Sequence, residues 1–445
     1  MADRPPHIVI VVVNLPAERD RRVIRQSQAL EDDGFRVTVI CPRGPGRPAT
    51  LPGTARTRIR SFPQPISGSG LLSFAAEFAW SLIAVTWRLL VLMLRTRVDA
   101  VQACNPPDVF WPLALLVRAA GKPFVFDHHD LSPELYECKT DHPHAVVLRI
   151  LRLFEKLSWR CASAVVATNE SYRELAIGRG GCDPARVVVV RNGPTLAEIG
   201  VPAPHPTTDA PDGRSTPDGG LGVGGVGADP RQMIVYLGVI NEQDHVDAAV
   251  LAAERLLRRR GGGDWRLVVA GDGESLPALR RLAVERGITD VVRFTGWLEA
   301  EDVDALLRSA AIGIQPDPPT RMAQLSTMAK TIEYLGRGLP VVAVDLLETR
   351  RSAGAAASYV PTGSPDELAE ALDHLLSDSA ARNNMRAVAR HRFAERLAWD
   401  HQAKSYIGLW DRLLRPTPHS YNSNSKRDGS SQNEGSPSNE ASLTT

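Results

Sequence analysis

The sequence predicts an α/β protein built from two doubly wound parallel-sheet domains, and three observations carry that expectation. Short Val/Ile-rich runs alternate with helical patterns in both halves of the chain, as they do where helices cover both faces of a parallel sheet. A segment dense in Pro and Gly, about Pro202 to Asp229, separates the halves. The length of 445 residues also exceeds what a single core usually serves.

Taken in order, Ile8–Val13 is an apolar run too short for the core of a signal peptide and suited to a strand buried on both faces. Arg21–Asp33 has helical spacing, Gly34 stops it, and Arg36–Cys41 is the next strand. Ala100–Ala103, Phe124–Asp127, Ala164–Thr168 and Val187–Arg191 continue the sheet, with helices at Ala145–Cys161 and Glu170–Ile177. The second half repeats the logic. Its strands are Met233–Leu237, Trp265–Ala270, Val291–Thr295, Ile312–Gln315 and Leu339–Val344. Val246–Arg260, Leu276–Glu285, Glu301–Ala310, Met328–Arg337 and Pro365–Leu376 are the helices between them. The chain therefore divides into a Rossmann-like domain over 1–200, a linker over 201–230 and a second domain over 231–395. A helix over 396–415 is expected to pack back on the first domain. The Ser/Asn/Gly-rich stretch 416–445 cannot bury enough surface to order itself.

Composition excludes some classes. Lys+Arg number 52 against 51 Asp+Glu, a net charge of +1 without the basic excess that nonspecific nucleic-acid binding needs. The five cysteines are scattered, without CxxC or Cys/His clusters, and read as reduced thiols of a cytoplasmic protein with no structural zinc. Leu71–Leu94 is the longest apolar stretch, interrupted by Glu77 and Arg88 and followed by Arg95 and Arg97. It fits a core helix, a helix lying on a membrane, or a span; Trp80, Trp87 and the arginines favour the surface over the span.

Ligands of such folds bind beyond the carboxyl ends of strands. There stand His128, His129 and Asp130, with Pro133 and Glu134 behind; a strand-end histidine offers an ionisable group near neutral pH. Asn105-Pro106-Pro107-Asp108 and Arg191-Asn192-Gly193 end two further strands. Gly238 and Gly271-Asp272-Gly273 admit a close backbone approach in the second half. Ser326 or Thr327 is expected to cap the next helix, with free N–H groups behind it around Met328. Lys330 and Glu333 share one face of that helix. A phosphate at the helix start beside Lys330, with sugar hydroxyls on Glu333, fits a nucleoside diphosphate sugar.

In this order and spacing the motifs Asp127-His128-His129-Asp130-Leu131, Thr168-Asn169-Glu170-Ser171, Arg191-Asn192-Gly193, Gly271-Asp272-Gly273, Phe294-Thr295-Gly296 and Lys330 through Val342 resemble glycosyltransferase family 4, of GT-B fold. The resemblance runs from about His7 to Leu414. It implies two Rossmann-like domains facing a cleft, acceptor-side first and donor-side second. It also implies sugar transfer from a nucleotide donor with retention of anomeric configuration and no obligatory metal or cofactor. By the same resemblance, His129 and Asp130 serve catalysis. Lys330, Glu333, Thr327, Met328, Gly238, Gly273 and Arg191 hold the donor, and Asn14, Asn105 and Asp108 lie on the acceptor side. A saccharide or lipid-linked acceptor is expected, with peripheral contact to the inner face of the plasma membrane through Leu71–Arg97.

The sequence departs from the family in three places. Leu325, beside Gln324, stands where relatives carry the first Glu of Glu-x7-Glu. The turn after Gly238 holds no Arg or Lys, so Lys330 is expected to take over part of that duty. The glycine-rich loop of the first domain is missing after Asn14. These gaps leave room for two alternatives: a catalytically weak scaffold in polysaccharide assembly, and a nucleotide-sugar epimerase.

Overall fold

A computed structural model of the chain describes residues 4–44, 46, 48–64, 71–140, 142–200 and 231–415; the expected linker (201–230) and tail (416–445) lie outside the described residues. The first half runs β1 (His7–Val11), α1 (Arg21–Asp32), β2 (Arg36–Pro42), β3 (Arg58–Phe62), α2 (Leu71–Arg95), β4 (Ala100–Cys104) and α3 (Trp111–Ala119). It continues with β5 (Phe124–His128), α4 (Ser132–Lys139), α5 (Ala145–Cys161), β6 (Ala164–Ala167), α6 (Glu170–Gly178), β7 (Val187–Val189) and α7 (Leu196–Ile199). All seven strands are parallel, in the order β3-β2-β1-β4-β5-β6-β7.

The second half runs β8 (Gln232–Leu237), α8 (Val246–Arg260), β9 (Trp265–Ala270), α9 (Leu276–Glu285), β10 (Val292–Gly296), α10 (Ala300–Ser309) and β11 (Ile312–Gln315). There follow α11 (Arg321–Leu325), α12 (Ala329–Gly336), β12 (Val341–Val344), α13 (Leu347–Ala353), β13 (Ala357–Val360), α14 (Pro365–Ser377), α15 (Ser379–Arg392) and α16 (Trp399–Leu414). Its six parallel strands are ordered β10-β9-β8-β11-β12-β13. Strand order reverses between β1 and β4 and again between β8 and β11. At such switch points adjacent connections leave to opposite faces and open a crevice at the carboxyl ends.

Local chemistry explains the elements. Every residue of β1 is buried, which suits its unbroken apolar run. Asp20 caps α1 by accepting from the N–H groups of Arg22 (3.0 Å) and Val23 (3.1 Å). The edge strand β3 reads Arg-Ile-Arg-Ser-Phe and has water on one side, so it shows no apolar run in sequence. After α15 the chain returns to the first domain. Trp399, Tyr406, Leu409 and Trp410 of α16 share a core with Ile8, Ile10 and Val23, and Tyr406 Oη donates to Gln102 Oε1 at 2.6 Å. On the opposite face of the same sheet, α2 contributes Val85 and Leu89 to the core yet leaves Trp87 and Leu94 exposed. Ala76–Arg95 is long and apolar enough to cross a membrane by length and composition, and only 17% of it is buried.

Candidate active site

The first domain builds its half of the site around a buried carboxylate, Asp127, at the end of β5. Arg22 donates to both of its oxygens (2.8 and 3.1 Å), Gln26 Nε2 donates at 2.6 Å and Gln102 Nε2 at 3.2 Å. Burial alone raises a carboxyl pKa, but the Arg22 guanidinium and the His129 imidazole outweigh it and hold Asp127 well below the usual carboxylate range. His129 Nε2 lies 2.9 Å from Asp127 Oδ2. Burial pulls this histidine down, and the Asp127 charge, with Cys104 beside it, raises it well above its ordinary value. His129 therefore stays an imidazolium through neutral pH.

Of the two strand-end histidines, His128 is buried among aromatic rings and offers no ionisable group near neutral pH. Its ring is stacked with Phe126 (centroids 5.7 Å apart) and packed on Trp159 (5.2 Å) and Tyr172 (4.9 Å). Burial, reinforced by the Arg179 charge, pushes it down to about 3, so it is neutral. Asn105 is buried and organises the turn after β5: its Oδ1 accepts from the N–H groups of His129 (2.5 Å) and Asp130 (3.2 Å), and its Nδ2 donates to the Asp130 carbonyl at 2.7 Å. Asp108 is buried too, accepting from Asn105 Nδ2 (2.9 Å) and Ser132 Oγ (2.6 Å). Burial pushes it up to about 6 against those hydrogen bonds. Asp130 is half-buried and also raised, by burial and the Asp20 charge. Asn14 is exposed in the loop that follows β1.

The second domain places its half at the β8/β11 reversal. Gly238 follows β8 with φ 153°, and a Cβ there would meet Lys330 Cε at 3.3 Å. Lys330 Nζ bonds both oxygens of Asp317 (2.8 and 3.0 Å) and lies 4.9 Å from the Tyr236 ring centroid. Burial opposes its charge, but Asp317 and Asp244 overcome that and raise the ammonium above its ordinary value. A buried cation thus sits beside Gly238, where the β8 turn carries none. Gly271 (φ 141°) packs so closely that a Cβ would stand 1.8 Å from the Gly238 carbonyl oxygen. One on Gly273 would stand 2.3 Å from that of Ile240. These glycines are demanded by the stacking of two loop backbones.

The start of α12 differs from expectation. Met328, not Ser326 or Thr327, is the N-cap residue, and no side chain caps the helix. Thr327 is occupied instead: Asn169 Nδ2 and Arg191 Nη1 each donate to its hydroxyl at 3.2 Å, and that hydroxyl donates to Glu348 Oε2 at 3.4 Å. Arg191 is buried and pairs with Glu170 and with Glu348 (3.4 Å). Glu333 accepts from Arg337 Nη1 at 2.6 Å, one turn on. Gln324, the amide beside the missing-Glu position at Leu325, accepts from the Leu347 N–H at 2.8 Å.

The two halves are fastened along one flank. Asn169 Nδ2 donates to the Leu325 carbonyl at 2.9 Å, and the N–H and Oγ of Ser171 donate to Glu348 Oε1 at 3.1 and 2.7 Å. The structure thus joins Thr327 to Arg191 and Lys330 to Gly238, and gathers His129, Asp130, Asn105 and Asp108 at the end of β5. Arg22, Asp317 and Glu348 are not singled out by the sequence as site residues, and Asp127 reads only as part of a motif, because the pairings Arg22–Asp127, Lys330–Asp317 and Ser171–Glu348 appear only in the fold.

The sequence over residues 20–193 matches the family of the glycosyl transferase 4-like domain, and residues 231–378 match glycosyl transferases group 1. The chain belongs to the GT4-type glycosyltransferases. This GT4-type chain is 30% identical over 161 residues to the alpha-D-kanosaminyltransferase of Streptomyces kanamyceticus, covering 36% of the chain and 40% of that protein. It is 25% identical over 264 residues to the D-inositol 3-phosphate glycosyltransferase of Streptomyces bingchenggensis, covering 57% and 54%. The matches span about half the length of these curated relatives. Its GT-B fold is shared with sucrose-phosphate synthase from Thermosynechococcus elongatus (TM-score 0.71, 14% identity, covering 93% of this chain and 100% of that one). Anabaena HepE in complex with UDP shares it as well (TM-score 0.62, 14% identity, 92% and 100%).

In this GT4-type glycosyltransferase, Cys104, Asp127 and His129 hold ligand atoms within 4.8 Å of one another, a donor set that metals accept. Arg22 already supplies the counter-charge on both Asp127 oxygens, so the set does not fit a cation.

Proposed function

We propose that the chain transfers a sugar, with retention, from a nucleoside diphosphate sugar to a saccharide or lipid-linked acceptor in the cytoplasm. The observation that carries this reading is Lys330: a buried ammonium beside Gly238 at the strand-order reversal, at the start of a helix whose first N–H groups have no side-chain cap. Once Lys330 exchanges its Asp317 partner, cation and helix dipole together favour a diphosphate there. The neighbour HepE is described bound to UDP and glucose, which makes UDP-sugars the first donors to test.

In the transfer, the bond from the anomeric carbon to the diphosphate oxygen breaks while an acceptor hydroxyl attacks from the same face. The hydroxyl proton passes to the departing phosphate oxygen. Positive groups placed where charge develops stabilise the leaving group. The His129 imidazolium, oriented by Asp127, donates a hydrogen bond to a sugar hydroxyl and does not act as a base. Glu333 receives the ribose hydroxyls after exchanging its Arg337 partner. The reaction needs no metal, so EDTA leaves turnover unchanged. Contact of α2 with the inner membrane surface brings the enzyme to its acceptor. Thermal-shift screening against UDP-, GDP-, ADP- and dTDP-sugars, followed by turnover of the donor that binds, tests the assignment. No stabilisation by any of them would contradict it.

A further inference from the structure

We infer that the outer face of three helices, α2, α3 and α5, forms one docking surface for an anionic lipid bilayer. The inference rests on the reading that the acceptor is presented at a membrane, and it extends the contact from one helix to three on the same side of the sheet. The three helices lie on the same side of the seven-stranded sheet: Val85 and Leu89 of α2, Leu113 and Val117 of α3 and Trp159 of α5 belong to one core cluster beneath them. Their outward sides are apolar. Ile83, Trp87, Leu90 and Leu94 recur along α2 at spacings of four and three residues, with Trp87 66% and Leu94 87% exposed. Val146, Ile150 and Leu153 repeat that stripe on α5, and Leu115 and Leu116 are exposed on α3. These nine are most of the fourteen large apolar side chains exposed among the described residues. Soluble monomers scatter such residues; their concentration on one side of the sheet, where α3 and α5 pack against each other, marks an interface.

Charge selects the occupant. The three helices carry seven basic residues, four of them on α5 (Arg149, Arg152, Lys156, Arg160), against two acidic ones. Of the acidic pair, Glu155 is fully buried and Glu77 is bonded to Gln64. Of the basic set, Arg152 pairs with Glu137 of α4 at 2.9 Å, and Arg160 and Arg118 donate to the carbonyls of Gly180 and Cys161 at 3.0 Å while keeping their charge. The chain as a whole is balanced at +1, so the excess is local. Apolar stripes flanked by arginines, with an indole beside them, suit the boundary between headgroups and acyl chains of an anionic leaflet. A span is a poorer fit, because Val85 and Leu89 would have to leave the core. The N-terminal turns of α3 and α5, which follow the carboxyl ends of β4 and β5, are the part of this face nearest Asn105 and His129.

Cosedimentation of the purified full chain with vesicles of phosphatidylglycerol or of phosphatidylcholine, at low and high salt, tests the surface. We expect binding to phosphatidylglycerol vesicles, weakened by salt. Charge reversal on α5 alone (R149E/R152E), with α2 untouched, should weaken it about tenfold or more. Trp87→Ser should weaken it as well. Equal binding to both lipids, unchanged binding by R149E/R152E, or a dimer in solution that Trp87→Ser converts to monomer would overturn the inference. Donor hydrolysis without vesicles should be unchanged in R149E/R152E. Loss of vesicle binding with hydrolysis intact concerns this face alone, whereas absence of hydrolysis in the wild type concerns the transferase reading.

Discussion

At the scale of single residues, the arrangement turns on which neighbour of a strand faces which way. Successive side chains on a strand point to opposite faces. His128 accordingly joins Phe126 in the aromatic core, while Asp127 turns to the other face and meets Arg22. His129 was legible as a strand-end histidine. Its partner was not read, although alternation alone separates the two histidines, and Arg22 lies 105 residues away from Asp127. Asp127→Asn should destabilise the fold by about 3–5 kcal/mol, because Arg22 is left buried without its counter-charge. Chemical denaturation at several pH values checks this. The folded-state pKa of Asp127 is depressed, so its contribution is present above pH about 4 and lost as pH falls. The folded-state pKa of His129 is raised, so its contribution is complete below pH about 6.5 and lost as pH rises through the folded value. The alkaline limb of kcat/KM should therefore lie above the ordinary histidine range and move to lower pH in Asp127→Asn. An unmoved limb would remove His129 from the reaction.

At the scale of elements, the parallel strands with unbroken apolar runs and the helices between them were legible, because burial on both faces leaves a plain mark in sequence. The edge strands β3 and β13 were not, since one side faces water and neither carries such a run. The cap of α12 was misassigned for a different reason: Thr327 has the chemistry of a cap, but tertiary partners Asn169, Arg191 and Glu348 claim its hydroxyl. Glycine at 271 could be read as ligand approach or as steric need, and the Gly238 carbonyl decides for the second. Gly271→Ala, which meets both that oxygen and a positive φ, should cost about 1–3 kcal/mol or more. Its Tm should fall and donor affinity should fall with it, as the Gly238 loop is displaced from Lys330. Full donor affinity in a stably folded Gly271→Ala would show that the stacked loops do not shape the donor site.

At the scale of the molecule, two domains are joined by side chains that no local pattern announces. Glu348 is wholly buried and accepts from Ser171 of the first domain and from Arg351 of its own (2.9 Å). Arg191 reaches the same carboxylate. Glu348→Ala should leave Arg191 and Ser171 short of a partner and loosen the docking of the domains. Small-angle scattering should show a larger radius of gyration, and KM for the donor should rise through displacement of Thr327. The return of α16 adds a second tie: Tyr406→Phe should cost about 1 kcal/mol through the lost bond to Gln102. The division into two α/β halves could be read from alternation alone, whereas their mutual fastening needed coordinates.

Initial rates of transfer or hydrolysis with the best-binding nucleoside diphosphate sugar, for wild type, Lys330→Ala and Glu333→Ala, bear most directly on the donor site at the β8/β11 reversal. A fall in kcat/KM of about tenfold or more in each variant, equivalent to at least ~1.4 kcal/mol of lost transition-state stabilisation, is the expected result. Wild-type rates in either folded variant would contradict it.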